Sequence, residues 1–317
     1  MARCLVTGGA GFIGSHIVRG LLNAGHSVRV LDNLCTGNKA NLDEVASDVE
    51  FINGDICDDS AVTKALQGIE RVFHQAALAS VPLSLEKPMD THRNCVTGTL
   101  NMLRHSVTAK VQRFVYAASS SAYGDQPTSS KRESDLPMPL SPYAAAKLAG
   151  ELYCQSYWHS FGLETVGIRY FNVFGPRQDP NSPYSAVIPL FVTKILSQSR
   201  PVIYGDGGQS RDFTYVANIV HGNLLASEAK DVGGKTFNIA DGRQTSLLRL
   251  LELLSLMLGK TIEPIFETAR VGDVRESLAD ISQARKHLGF EPQVSFDEGL
   301  KATIEYYKAI ANVRSEP

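Results

Sequence analysis

Tyr143 and Lys147 stand four residues apart in Ser141-Pro142-Tyr143-Ala144-Ala145-Ala146-Lys147. Alanine is the best helix former, so this run should be helical. Positions i and i+4 share a helix face, so phenol and ammonium point the same way. Ser141 suits an N-cap and Pro142 the first turn, which puts Tyr143 near the positive end of the helix dipole. A free tyrosine has a pKa of about 10, and nearby positive charge lowers it. A phenol tuned this way can take a proton from an alcohol at neutral pH. An ordinary surface pair would share this spacing, so the rest of the chain must decide.

The elements that would position the pair read as alternating strands and helices. Residues 3–7 form a buried strand running into Gly8-Gly9-Ala10-Gly11-Phe12-Ile13-Gly14, with an amphipathic helix to about residue 24. Residues 27–31 form a second strand, ending in Asp32. Strand, glycine turn, helix, strand and acidic residue together form a dinucleotide fingerprint. The glycines allow a tight turn and let a pyrophosphate approach backbone N–H groups. Asp32, with Asn33 beside it, suits the adenosine ribose hydroxyls and repels a 2′-phosphate, so NAD is favoured over NADP.

Further strands are expected at 49–52, 71–74 and 113–118, and a long helix at about 90–107 with Asn94 near its start. Asp55, in Gly54-Asp55-Ile56, is placed to accept from adenine or to cap the helix at 58–67, and the two roles can coexist. Gln75-Ala76-Ala77 end a strand with small residues, which leaves room for cofactor. His74, at that strand's end, reads as structural. The strand at 113–118 delivers Ser119-Ser120-Ser121 at its carboxyl end, above which Tyr143 also emerges. The fold class is α/β, a doubly wound parallel sheet of Rossmann type with a smaller mixed α/β C-terminal substrate domain. Residues 1–168 are expected to bind NAD, with some later segments returning to that domain, and residues 169–317 to bind substrate.

The 31 Lys and Arg against 33 Asp and Glu give a net charge of -2, with no case for nucleic acid or an anionic membrane surface. Five scattered cysteines without Cys-x2-Cys spacing argue for a reducing, cytoplasmic setting and against a zinc site. No signal peptide or membrane-spanning apolar run is visible. Two arginines stand out beyond residue 200. Arg211 follows the glycine-rich turn at 205–208, and Arg270 precedes Val271-Gly272-Asp273. Both suit a diphosphate, which arginine grips bidentately, and both could equally pair with Asp212 or Asp273.

A dinucleotide, a polarised tyrosine and a serine at a neighbouring strand end make a hydride-transfer site. In it Tyr143 takes a hydroxyl proton, Ser119 relays it, and Lys147 holds the nicotinamide ribose. The glycine turn, Asp32-Asn33, Ser119, Tyr143-x3-Lys147 and Arg169-Tyr170-Phe171-Asn172 together resemble the extended short-chain dehydrogenase/reductase superfamily over nearly the whole chain. Within it, Ser120-Ser121-Ala122-Tyr123-Gly124-Asp125, Ser210-Arg211-Asp212-Phe213 and the run from Gly272 to Asp280 are most similar to bacterial UDP-N-acetylglucosamine 4-epimerases and relatives acting on uronates.

That resemblance implies a UDP-sugar substrate, tightly held NAD and inversion at carbon 4 through a 4-keto sugar. It adds Tyr170 to the cofactor set. It implies that Asn172 contacts the diphosphate or sugar, Tyr204 stacks on uracil, and Arg211 and Arg270 hold the diphosphate. Val187 joins the substrate set, and Ser277 stands at the gate beside the sugar's 2-substituent, where a small residue admits an N-acetyl group. Ser80, Ser120 and Ser121 are candidate sugar contacts, though exposed serines are often only loop residues. A homodimer through the helices at 90–107 and 143–160 is also implied.

Rival readings share the fold. A 4,6-dehydratase needs an acid–base pair where Ser120-Ser121 stand. UDP-glucuronate 4-epimerase and UDP-glucuronate decarboxylase stay open, since Arg275 could meet a uronate. A non-catalytic NAD-binding protein would usually lack the tyrosine or the lysine.

Overall fold

The structure is a computed structural model that describes residues 1–126, 128, 130–180, 186–268 and 275–313. In the first half, the strands are β1 (Arg3–Thr7), β2 (Ser27–Asp32), β3 (Val49–Asn53), β4 (Arg71–His74), β5 (Arg113–Ser119) and β6 (Thr165–Tyr170). Between them run α1 (Phe12–Asn23), α2 (Asp59–Leu66), α3 (Val81–Glu86), α4 (Pro88–His92), α5 (Gly98–Thr108) and α6 (Pro142–Phe161). The second half holds β7 (Val173–Phe174), α7 (Val187–Leu196), β8 (Val202–Tyr204), β9 (Ser210–Arg211), β10 (Thr214–Tyr215) and α8 (Val216–Glu228). It continues with β11 (Lys235–Ile239), β12 (Thr245–Ser246), α9 (Leu247–Leu258), β13 (Ile265–Glu267), β14 (Glu276–Ser277), α10 (Ser282–Leu288) and α11 (Phe296–Val313).

Seven parallel strands form one sheet in the order β11-β6-β5-β4-β1-β2-β3. The order reverses direction between β1 and β4, and there the strand ends part to leave a crevice. Strands buried on both faces carry unbroken apolar runs, such as Phe114-Val115-Tyr116-Ala117-Ala118 in β5. One face packs Ile17, Val18 and Leu21 of α1 with Ile219 of α8 against Val6 and Val30. The other packs Val62 of α2, Met102 of α5 and Cys154 of α6 against Leu5 and Phe114. A separate apolar core, with Phe191, Leu250 and Ile304, joins α7, α9 and α11 beside the short strands.

The helix expected at 90–107 is broken differently. Between α4 and α5 lies a π turn, Arg93–Thr97, so Asn94 sits inside a bulge. Such single-turn bulges re-aim side chains and gather at functional sites. No helix among the described residues is long and apolar enough to cross a membrane.

Candidate active site

Helix α6 begins as its sequence dictates. Ser141 Oγ accepts from Ala144 N at 3.2 Å, and Pro142 occupies the first turn. Tyr143 and Lys147 therefore face the crevice, and both line it. Lys147 is 5% exposed, with Nζ 4.9 Å from the Tyr116 ring centroid. The Tyr116 hydroxyl in turn donates to the Lys147 carbonyl at 3.1 Å, fixing this turn of α6 to β5. Ser119 ends β5, with its Oγ 2.8 Å from Ser121 Oγ.

The expected lowering of the Tyr143 pKa is not what this protein shows. Burial pushes the phenol well above its ordinary value, and the nearby Ser119 hydroxyl offsets only part of that rise. Burial also pushes the Lys147 ammonium down. Desolvation disfavours both charged forms. The helix dipole, worth a fraction of a charge, does not overcome it.

Tyr143 and Lys147 open onto a cleft of about 700 Å³ above the β1–β4 reversal point. Gly8, Gly11, Phe12, Ile13, Gly14, Asp32, Asn33, Ile56, Gln75, Ala76, Ala77, Ser80, Asn94 and Tyr170 all line it. Gly8 has φ +67°, and a Cβ there would meet the Ala76 backbone at 2.8 Å. A Cβ on Gly14 would lie 2.1 Å from the Gly8 carbonyl oxygen, so only glycine lets α1 sit this close to the turn. Helix α1 starts at Gly11 without a side-chain cap, leaving its first N–H groups for a ligand. Asp32 is 6% exposed, and its two oxygens accept from Ala10 N at 2.9 Å and Leu34 N at 2.8 Å. Each oxygen keeps a second lone pair for a ribose hydroxyl.

Asp55 and Ser80 also have partners within the protein. Asp55 is not part of the cleft lining; its carboxylate accepts from Cys57 N at 2.8 Å and reaches Asn33 Nδ2 and Arg93 Nη2 at 3.5 Å. Nor does it cap α2, because Asp58 accepts from Ser60 N and Ala61 N instead. Ser80 caps α3, accepting from Leu83 N at 3.1 Å, while also lining the cleft. The sequence reading missed Thr36, Gly37 and Asp179, which line it too. Gly37 carried a signal: a Cβ there would press both Asp32 oxygens at 3.0 Å.

His74 is structural, and its hydrogen bonds define its tautomer. Thr99 Oγ1 spends its proton on the Cys95 carbonyl at 2.8 Å, so His74 Nε2 donates to that oxygen at 3.0 Å. Nδ1 then accepts from Thr7 Oγ1 at 2.7 Å, and Thr7 Oγ1 accepts from Ala76 N at 3.3 Å. This chain ties the wall at Ala76 to α5. Burial pushes the imidazole down to about 3, so it is neutral at physiological pH.

Residues 4–240 match the NAD dependent epimerase/dehydratase family. The chain belongs to this family. A UDP-N-acetylglucosamine 4-epimerase from Methanobrevibacter ruminantium M1, solved with UDP-N-acetylmuramic acid, is 40% identical, with a TM-score of 0.93 over 98% of this chain and 99% of that one. A UDP-glucose 4-epimerase from Thermotoga maritima, solved with UDP-glucose, is 38% identical, with a TM-score of 0.93 over 98% and 99% of the two chains. A putative UDP-glucose 4-epimerase of Methanocaldococcus jannaschii is 38% identical over 96% of this chain and 98% of its own.

NAD is the cofactor of this epimerase/dehydratase family, and the cleft suits it. Besides the glycine cradle and Asp32, Gln75 Nε2 is buried at the cleft with no hydrogen-bond partner among the described residues. The Gln75 carbonyl oxygen is held by the Tyr170 hydroxyl at 3.0 Å, which leaves that amide as an aimed donor.

Of the other residues expected to meet the sugar nucleotide, Ser119, Ser120, Ser121, Asn172, Val187, Tyr204, Arg211 and Ser277 are not part of the cleft lining. Ser120 and Ser121 form the short turn after β5. Asn172 follows β6 with φ +31°, its carbonyl accepting from Thr214 N. Val187 begins α7, and Tyr204 ends β8. Arg211 of β9 is in register with Ser277 of β14. Arg270 lies outside the described residues. Asp212, proposed as a partner for Arg211, is instead fully buried, accepting from Asp241 N, Gly242 N and Ala279 N. Burial pushes its carboxyl up to about 7. Arg275 is exposed and paired with Asp206 at 3.0 Å, so it is already engaged away from the cleft.

Proposed function

We propose that this protein inverts carbon 4 of a UDP-hexose, with UDP-N-acetylglucosamine and UDP-N-acetylgalactosamine as its first substrate pair and UDP-glucose and UDP-galactose as the second. The observation that carries this reading is Tyr143 and Lys147 on one face of α6, both lining the cleft with the glycine turn and Asp32, with Ser119 at the neighbouring end of β5. Bound NAD supplies a hydride acceptor and donor for carbon 4. Tyr143 takes the proton of the 4-hydroxyl and later returns one, Ser119 holds that oxygen, and Lys147 binds the nicotinamide ribose. A cationic nicotinamide beside Tyr143 would counter the burial that now holds its phenol protonated. Gly8, Gly11, Phe12, Ile13, Gly14, Asp32, Asn33, Asn94, Gln75 and Tyr170 are assigned to the cofactor.

Arg211, with Arg270, is assigned to the diphosphate and Tyr204 to uracil. The N-acetyl preference rests on Ser277, a small side chain in register with Arg211 across β9 and β14. The likeness to a UDP-N-acetylglucosamine 4-epimerase supports the same choice. Dimerisation through α6 and the α4–α5 helix is part of the proposal. Met89, Leu152 and Phe161 are 75%, 56% and 58% exposed there, and sedimentation as a monomer would remove it.

The test is incubation with each UDP-sugar followed by chromatography. The 4-epimer of the N-acetylated sugar is expected fastest. Conversion of UDP-glucuronate alone would move the assignment to a uronate epimerase, and release of carbon dioxide to a decarboxylase.

A further inference from the structure

Two walls of the cofactor cleft come from segments far apart in the chain. One is the segment after β2, where Asn33, Thr36 and Gly37 line the cleft before a 3-10 turn at Lys39–Val45. The other is the segment after β7, where Asp179 lines it. Each is anchored on its own side. Asn38 N and Asn41 Nδ2 both donate to the Ala10 carbonyl of the glycine turn, at 3.0 and 2.9 Å. Opposite, His16 Nε2 donates to the Pro176 carbonyl at 2.9 Å, and the Tyr307 hydroxyl donates to the Gln178 carbonyl.

The walls meet at one carboxylate. Glu44 Oε2 accepts from Arg177 Nη2 at 2.7 Å and from Arg19 Nη2 at 3.0 Å. Arg177 holds φ +67°, a left-handed conformation that is costly for a residue with a Cβ. Such strain persists only where surrounding contacts impose it, and the pairing with Glu44 is one such contact. Both arginine side chains are 16% exposed, while Glu44 is 70% exposed. The junction is therefore well packed on the cationic side and open to salt on the anionic side.

We propose that Arg19, Glu44 and Arg177 form a clasp that closes the two walls over NAD and sets how fast the cofactor leaves. A cofactor regenerated in each turnover gains from slow release, whereas a cofactor that is a co-substrate must escape. The proposal rests on NAD occupying the cleft and is independent of the sugar. Arg19, Glu44 and Arg177 are positioning residues, acting through the walls that touch the cofactor.

The test uses protein loaded with etheno-NAD, a fluorescent analogue, and chased with excess NAD while release is followed by fluorescence. Glu44→Gln keeps the shape and removes the charge. It should release the analogue about three to ten times faster at low salt, the scale of a small exposed ion-pair network. Raising salt to about 1 M, where the Debye length is about 3 Å, should speed wild-type release toward the variant's rate and barely change the variant. Arg177→Gln should behave alike. Thermal midpoints with and without NAD complete the test. Equal release rates in wild type and variants overturn the clasp, as does an equal salt response. So does a loss of thermal stability of the same size with and without NAD at unchanged release, which marks a purely structural staple.

Discussion

The cofactor cleft and the segments proposed to hold the sugar nucleotide are built on opposite terms. Around the cofactor cleft, several of the polar groups are already engaged within the protein. Asp32 is held by two backbone amides, Tyr170 by Gln75 and Asn223, and the Ala76 wall by the Thr7–His74–Thr99 chain. The frame beneath is a seven-stranded sheet. Of the residues proposed for the sugar nucleotide, Tyr204, Arg211 and Ser277 sit on strands of two or three residues, β8, β9 and β14, and the others follow β5 and β6 or begin α7. Asp212 alone ties three backbone segments there. The contrast matches what 4-epimerisation asks of each. A dinucleotide regenerated in place gains from a rigid, preorganised seat. A sugar that must present both faces of carbon 4 needs a firm grip on its diphosphate and a loose one on its ring.

Substitutions sharpen or break this contrast. The largest effect is expected at the shared point. Tyr143→Phe should lower kcat by about 10² to 10⁴, the range for losing a general acid–base, with NAD content and circular dichroism unchanged. Steady-state assays check this, and retained turnover would remove Tyr143 from the chemistry. Arg211→Ala should raise KM by about ten- to a hundredfold, the worth of a charge-assisted hydrogen bond, and leave NAD content unaltered. Loss of NAD instead would show that the two are not separable.

Acid should act through the cofactor cleft. His74 has its folded pKa pushed down to about 3 from an ordinary value near 6.5. The unfolded chain therefore binds the extra proton across that window, and stability falls as pH drops from about 6.5 to 3. His16, lowered by burial to about 4, adds to the loss. In denaturant titrations, His74→Gln should flatten this slope by up to about 1.4 kcal/mol per pH unit. The smallest and most selective effect is expected at the gate. Ser277→Tyr should suppress turnover of N-acetylated sugars about tenfold relative to UDP-glucose, a typical worth for a steric pocket change. Equal loss on both sugars would sink the gate.

What the sequence made legible follows from how local each signal is. The glycine turn, Asp32 and Ser141-Pro142-Tyr143 act through neighbours within a turn or a strand end, and the alternation that orders the sheet is a periodic pattern. The π turn that holds Asn94 was hidden because no composition marks it. Asp55 and Asp58 lie three residues apart before the same helix, and only geometry shows that Asp58 is the cap. The Tyr143 phenol was misjudged because helix charge is a local feature, while the desolvation that outweighs it comes from the whole fold. Glu44 and Arg177 are 133 residues apart, beyond any local pattern.

The central claim is that the hydride removed from carbon 4 returns to the same sugar without leaving the protein. It is tested by converting UDP-N-acetylglucosamine that carries deuterium at carbon 4, with unlabelled NADH in the medium, and analysing the product by mass spectrometry and NMR. The account predicts the 4-epimer with its deuterium retained and no NADH released. Deuterium lost to the medium pool, or stoichiometric NADH with an oxidised sugar, would contradict it.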